Sequence, residues 1–142
     1  MAPTLILTAV EHLPWVTPGD DLVPLVIAAT ASQGLVPEPG DILVVAQKVV
    51  SKAEDRLVAL TAVSPSTVAV KLAEETGKDA RLVELILSES TAIVRSRPGL
   101  IIAEHRCGHV LANAGIDASN IAQDDGEQVL LWPEDPDVSA TD

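Results

Sequence analysis

Apolar positions along this chain change their spacing several times, and each change predicts a different element. Thr4 to Val10 is short and mostly apolar, and reads as a strand. Between there and Gly34, Leu22, Leu25, Val26 and Ala29 fall at the three-and-four spacing of one helix face. Asp20 suits the N-cap of that helix, Pro24 falls in its first turn where a missing N–H costs little, and Gly34 is its stop. Asp41 to Ala46 is a nearly unbroken apolar run, the pattern of a strand covered on both faces. Ser64-Pro65 opens a helix that Gly77 ends, and Asp79 caps another carrying Leu82, Leu85 and Ile86. Ala92 to Val94, Leu100 to Ala103 and Val110 to Leu111 read as strands, the last two joined by the turn His105 to Gly108. Val129 to Trp132 predicts one more strand. Asp135-Pro136-Asp137 is a helix start, with a cap, a proline at the first position and an acid in the first turn. The sequence stops soon afterwards, at Asp142, so either the tail is frayed or the chain is part of something longer. There is no internal repeat and no low-complexity tract.

Composition narrows the picture. A chain of 142 residues suits one domain with enough length for a core. With two Trp and no Phe or Tyr, that core must be aliphatic. Cys107 is the sole cysteine, so no intrachain disulfide can form. No apolar stretch approaches the roughly 20 residues of a spanning helix, and no basic segment precedes Leu5-Ile6-Leu7 as in a signal peptide. A cytoplasmic protein is expected.

Charge changes the picture more. The formal net charge is −12, yet all nine Lys and Arg residues lie between Lys48 and Arg106. Both flanks are strongly negative, which argues against nucleic acid and against anionic membranes as partners. The basic block opens with Lys48 and Lys52, four residues apart and therefore on one face of either a strand or a helix. With Gln47 and Ser51 between and beside them, they could grip a phosphate tail, or they could form a solvated basic edge. Neither G-x-x-x-x-G-K-[ST] nor G-x-G-x-x-G occurs, so a nucleotide site here is of another kind.

Further candidates each carry a plainer alternative. In Ala112 to Asn120, Gly115 would let backbone approach a ligand, Asp117 offers oxygen ligands to Mg²⁺ or Mn²⁺, and Asn120 could donate to a nucleotide. The same loop could instead satisfy its own backbone. His105, Cys107 and His109 could hold a soft metal, but three ligands without a fourth more often form an ordinary turn. Cys107 could also be a nucleophile with Arg106 lowering its pKa, an uncommon arrangement. Arg95 and Arg97 could bind an acidic substrate or make structural salt bridges. Asp124, Asp125 and Glu127 read as a solvated loop.

Taken in order, several segments resemble one family. They are Gly40-Asp41, Ala46 to Glu54, Ala73 to Asp79, Val83 to Glu89, Arg97-Pro98-Gly99, Ala112 to Asn120 and Pro133 to Asp137. Together they are similar to the N-terminal half of the coenzyme F420 γ-glutamyl ligases. The resemblance covers residues 1–142 and implies an α+β fold, a mixed sheet with flanking helices, whose C-terminal half lies outside this sequence. It implies a GTP-dependent ligase of coenzyme F420 biosynthesis that joins L-glutamate to F420-0 through an acyl phosphate. A homodimer, Mg²⁺ or Mn²⁺, and assistance by K⁺ are implied as well. Carried over by position, Leu13, Pro14, Trp15, Val16, Gln47, Lys48, Lys52 and Asn120 match nucleotide contacts, and Asp117 matches a metal ligand; no catalytic residue is assigned. His12 and Asp55 stand where the family pattern usually has glycine, and Cys107 where it has histidine. The alternatives are a non-catalytic module and a stand-alone nucleotide-binding protein.

Overall fold

The computed structural model describes residues 4–117 and 127–141. It divides into two compact units, Met1–Asp55 and Arg56–Asp142.

The second unit is built on an α-hairpin set by its caps. Ser66 accepts the Ala69 N–H and starts α3 (Thr67–Thr76), which Gly77 ends in the left-handed conformation at φ 69°. Asp79 accepts the Arg81 N–H and starts α4 (Ala80–Ser88). No Glu follows Ser66 at capping-box spacing, so the Ser66 N–H goes instead to the Glu84 carboxylate of the neighbouring helix, 2.7 Å away. The Ser66 side chain first, and its N–H second, hold the Glu84 carboxyl below its usual range. The buried stripe of α3 is Ala69 and Ala73, small enough for Val83 and Ile86 of α4 to pack into the same core.

Against this hairpin lies an antiparallel sheet in the order β2 (Ser90–Arg97), β3 (Leu100–His105), β4 (Val110–Ala112). The central strand alternates cleanly, with Ile101, Ala103 and His105 buried and the residues between them half-buried. A second antiparallel pair joins β1 (Leu57–Ala59) to β5 (Gln128–Leu130). Leu60, Ile116, Val129 and Leu131 complete the aliphatic core, as the lack of Phe and Tyr requires. α5 (Pro136–Ser139) starts as its sequence predicts, with Asp135 accepting the N–H groups of Asp137 and Val138.

One charged group is buried here. The Glu89 carboxylate takes a hydrogen bond from Arg56 at 3.0 Å, has Arg106 Nη2 at 3.3 Å and faces His105 Nε2 at 3.5 Å. Arg56 also donates to the Trp132 carbonyl at 2.7 Å, so one guanidinium ties two distant segments together. A more exposed group behaves differently. The Arg81 side chain hydrogen-bonds to Asp79, which holds that carboxyl at about 2, and also pairs with Glu127.

In the first unit, α1 (Leu22–Ser32) is capped by Asp21, one residue later than expected. Asp20 is drawn into the preceding turn, where it accepts the N–H and hydroxyl of Thr17. α2 spans Gln47–Ala53, which resolves the lysine pair in favour of a helix. Two predicted strands do not form. Neither Thr4 to Val10 nor Asp41 to Ala46 pairs with another segment among the described residues, and Leu7, Ile42 and Val44 are each 86% exposed. Apolar sequence supplies β-propensity, but a strand needs a partner to satisfy its backbone and cover its faces. Smaller differences have local causes. β2 is longer than Ala92 to Val94 because it pairs along the whole of β3. β5 stops at Leu130, two residues short of Trp132. β1 escapes sequence reading because Leu57-Val58-Ala59 is three residues long with no alternation.

Candidate functional site

The first unit carries the candidate site. Residues 11–16 run as an extended loop in which His12 takes φ 60°, a left-handed bend immediately before Leu13. Downstream, the Gly19 N–H donates to the carbonyl of Ala53 at 2.8 Å, which pins the end of this loop to the last turn of α2. The loop thus lies along the helix face that carries Lys48 and Lys52. Between them is a cavity of about 320 Å³ lined by Leu13, Pro14, Trp15, Val16, Lys48, Val49 and Lys52. The Lys52 ammonium sits 5.6 Å from the centre of the Trp15 ring, within cation–π range. No other Lys or Arg occurs in this unit, so all of its basic charge is at the pocket.

Six of the residues matched to nucleotide contacts therefore share one cavity. Gln47 stands on α2 beside it and donates from Nε2 to Ser51 Oγ on the next turn. Ser51 is fully buried, so it serves the helix and is not available to a ligand. Val49 is the lining residue that sequence reasoning missed. Its helical neighbourhood with Lys48 and Lys52 became visible only once residues 47–53 were known to be helical.

The remaining candidates belong to the second unit. Asp117 is half-buried, and its N–H and C=O both pair with Leu130, at 3.0 and 2.8 Å. Asn120, Asp124 and Asp125 lie outside the described residues, while Glu127 pairs with Arg81. Gly115, at φ 75°, does make a close approach, though to Trp132 and not to a ligand. A Cβ added there would lie 2.3 Å from the indole Nε1.

The His105-x-Cys107-x-His109 group is a turn. His105 Nδ1 accepts the Cys107 N–H at 3.1 Å, which puts the proton of the neutral ring on Nε2, and both histidine rings pack on Trp132. Burial lowers the pKa of His105, opposed by the nearby Glu89 carboxylate. Among the described residues no group of three His, Cys, Asp or Glu could hold a metal ion. Arg95 and Arg97 are exposed on β2 and form no ion pair among the described residues. No helix among the described residues is long and apolar enough to cross a membrane.

Residues 11–142 match the family described as F420-0:gamma-glutamyl ligase. The chain belongs to this family. It is 48% identical over 134 residues to the coenzyme F420:L-glutamate ligase of Methanothermobacter thermautotrophicus, covering 94% of this chain and 52% of the relative. Identity to the protein of the same name in Methanopyrus kandleri is 49% over 138 residues, covering 97% and 52%. For Archaeoglobus fulgidus it is 41% over 131 residues, covering 92% and 49%. The chain therefore spans about half the length of the curated relatives it matches. His12 and Asp55 sit at φ 60° and 55°, where glycine alone carries no steric penalty.

Proposed function

We propose that this chain supplies the nucleotide-binding portion of a GTP-dependent ligase that joins L-glutamate to F420-0. The observation that carries this reading is the pocket itself, where seven residues from two separate segments, two of them lysines, line one cavity. A carboxylate oxygen attacks the γ-phosphorus of GTP, GDP leaves, and the resulting acyl phosphate is attacked by the glutamate amine. That second step releases inorganic phosphate and a proton and leaves an amide. Charge accumulates on the phosphoryl oxygens during the first step, which is what Lys48 and Lys52 are suited to stabilise.

Phosphoryl transfer of this kind takes a divalent cation, Mg²⁺ or Mn²⁺, with K⁺ as a further aid in this reading. Asp117 is the one ligand this chain offers by position, and a single carboxylate does not fit such a cation alone. On this proposal the missing ligands and the contacts to F420-0 come from a C-terminal segment, in a homodimeric enzyme of the cytoplasm.

The test combines this chain with the C-terminal half of one of the archaeal relatives and measures transfer of L-glutamate to F420-0. Product that requires GTP and both halves, and that Lys52→Ala abolishes, is expected. Absence of both turnover and GTP binding in the mixture would overturn the reading. Saturable GTP binding with no glutamate requirement would favour a nucleotide-binding protein without ligase activity.

A further inference from the structure

Two stretches of the first unit have the sequence of a strand and lack its neighbours. In residues 4–10 and 41–46 nearly every position is aliphatic or β-prone. Yet Leu5 and Ile6 are 83% and 80% exposed, and neither run pairs with another segment among the described residues. Aliphatic surface on this scale, left in water, marks an interaction site. The second run is also held at both ends. Its Asp41 carboxylate accepts the Glu38 N–H at 2.8 Å, the Asp41 N–H returns to the Glu38 carbonyl at 3.0 Å, and α2 begins directly after Ala46. Six residues at about 3.3 Å each make an ordinary strand length. A run without a polar face is the pattern of a strand covered on both sides.

We propose that residues 4–10 and 41–46 are the docking edge for the C-terminal half of the ligase, whose apolar strands pair with them and cover their faces. The proposal rests on the reading that this chain works with such a half, and not on what the pocket binds. The chain spans about half the length of its curated relatives, so about as much chain again is available to supply those strands. A second copy fits less well. It brings the same two uncovered runs, and Met1–Asp55 carries seven acidic residues against two lysines, so like charge opposes the pairing of two such units. The placement also reaches the pocket. Residues 4–10 lead into the loop that supplies Leu13 to Val16, and residues 41–46 lead into the helix that supplies Lys48, Val49 and Lys52. Both walls of the cavity thus hang from the two unpaired runs. A partner that fixes the runs in one sheet fixes the walls as well.

The experiment joins the 142-residue chain to the C-terminal half of one of the archaeal relatives as one polypeptide, and also co-expresses the two as separate chains. Backbone amide exchange is followed by mass spectrometry in both and in the 142-residue chain alone. Amides of residues 4–10 and 41–46 should exchange near the rate of an unstructured peptide in the chain alone, and at least about a hundredfold more slowly with the C-terminal half present. Val44→Pro and Val45→Pro remove successive N–H groups, which point to opposite edges of a strand, so at least one of them should abolish the protection. Val44→Thr keeps both the donor and the β-branch and should retain most of it. Val44 is exposed, so Val44→Pro should leave urea unfolding of the chain alone unchanged. Unchanged exchange of both runs in the fusion overturns the proposal, and GTP-dependent glutamate transfer by that same fusion would leave the ligase reading standing. Protection already present in the chain alone overturns it too: a rise with concentration would make the occupant a second copy, and no rise would mean that the runs pair within the chain.

Discussion

The two units are made from the same aliphatic vocabulary and use it in opposite ways. In Arg56–Asp142 the apolar residues face each other: Val83, Ile86 and Ile101 are fully buried between a helical hairpin and a paired sheet. In Met1–Asp55 the apolar runs at Leu5 to Leu7 and Ile42 to Val45 are largely exposed, and the unit carries a cavity with a lysine pair and an exposed indole. The buried core and the candidate site thus lie in different stretches of the chain. Burial of apolar surface, at about 25 cal/mol per Å², is available to the second unit and largely not to the first. The residues suited to a ligand sit where the fewest packing constraints compete with them.

The sharpest way to break this contrast is a pair of identical truncations. Ile86→Ala should destabilise the chain by about 2–5 kcal/mol, because it empties a fully buried site that the neighbouring helix cannot fill. Ile42→Ala should change stability by less than about 0.5 kcal/mol, because that side chain is already solvated. Urea unfolding followed by Trp132 emission in a Trp15→Phe background reports the second unit. Far-ultraviolet dichroism reports both. A cost at Ile42 comparable to that at Ile86 would mean the two units do not differ in the way described.

Next in size is Gly115→Ala, expected to cost about 2–3 kcal/mol. The added carbon meets the Trp132 indole at 2.3 Å while the backbone is held at φ 75°. The Trp132 emission maximum should shift as the ring is displaced, and an unchanged spectrum with unchanged stability would refute the packing role given to Gly115.

His105 gives the second unit a pH dependence. Its folded pKa lies below 6.5 because burial disfavours the charged ring, so the unfolded chain binds the proton more readily. Its contribution to stability is complete above about pH 6.5 and is lost as pH falls from there through the lower folded value, at no more than about 1.4 kcal/mol per pH unit for one proton. Unfolding midpoints between about pH 7 and pH 5 should fall in the parent chain. They should fall less steeply in His105→Gln, whose lower starting stability does not affect the slope.

How much of this was legible in the sequence follows from how local each signal is. The α3–α4 hairpin could be read because Asp79 and Gly77 act within a few residues of themselves. The cap at Asp21 was misplaced by one residue because two adjacent aspartates offer the same side chain, and only the turn at Thr17 decides between them. The strands at Thr4 to Val10 and Asp41 to Ala46 failed for a different reason: pairing is a property of two segments, and composition describes one. At the site, the lysine pair was visible as an anion-binding possibility, but the loop of Leu13 to Val16 was reached through family resemblance alone. Nothing in Leu-Pro-Trp-Val names a ligand until the chain places it against Lys48 and Lys52. The Arg56–Glu89 pair, 33 residues apart, was beyond any local reading.

The smallest effect asks whether the looser unit contains removable strain. His12 precedes the pocket loop and Asp55 closes the unit, and both hold left-handed backbone at φ 60° and 55°. In that region a Cβ crowds the following carbonyl oxygen, at roughly 1–2 kcal/mol per residue, although His and Asp tolerate it better than most. Glycine removes the clash but gives the unfolded chain more freedom, a loss of about 0.4–1 kcal/mol. The two terms nearly offset, so His12→Gly and Asp55→Gly should each stabilise by no more than about 1 kcal/mol. Alanine separates them, because it keeps the Cβ without the unfolded-state freedom of glycine. His12→Ala should therefore be less stable than His12→Gly, and Asp55→Ala less stable than Asp55→Gly. The same ordering at both positions would show that backbone geometry, and not the side-chain chemistry of His or Asp, decides these sites. Equal stability of alanine and glycine would show instead that the first unit relaxes its backbone around the added carbon, as a segment with few packing constraints is free to do.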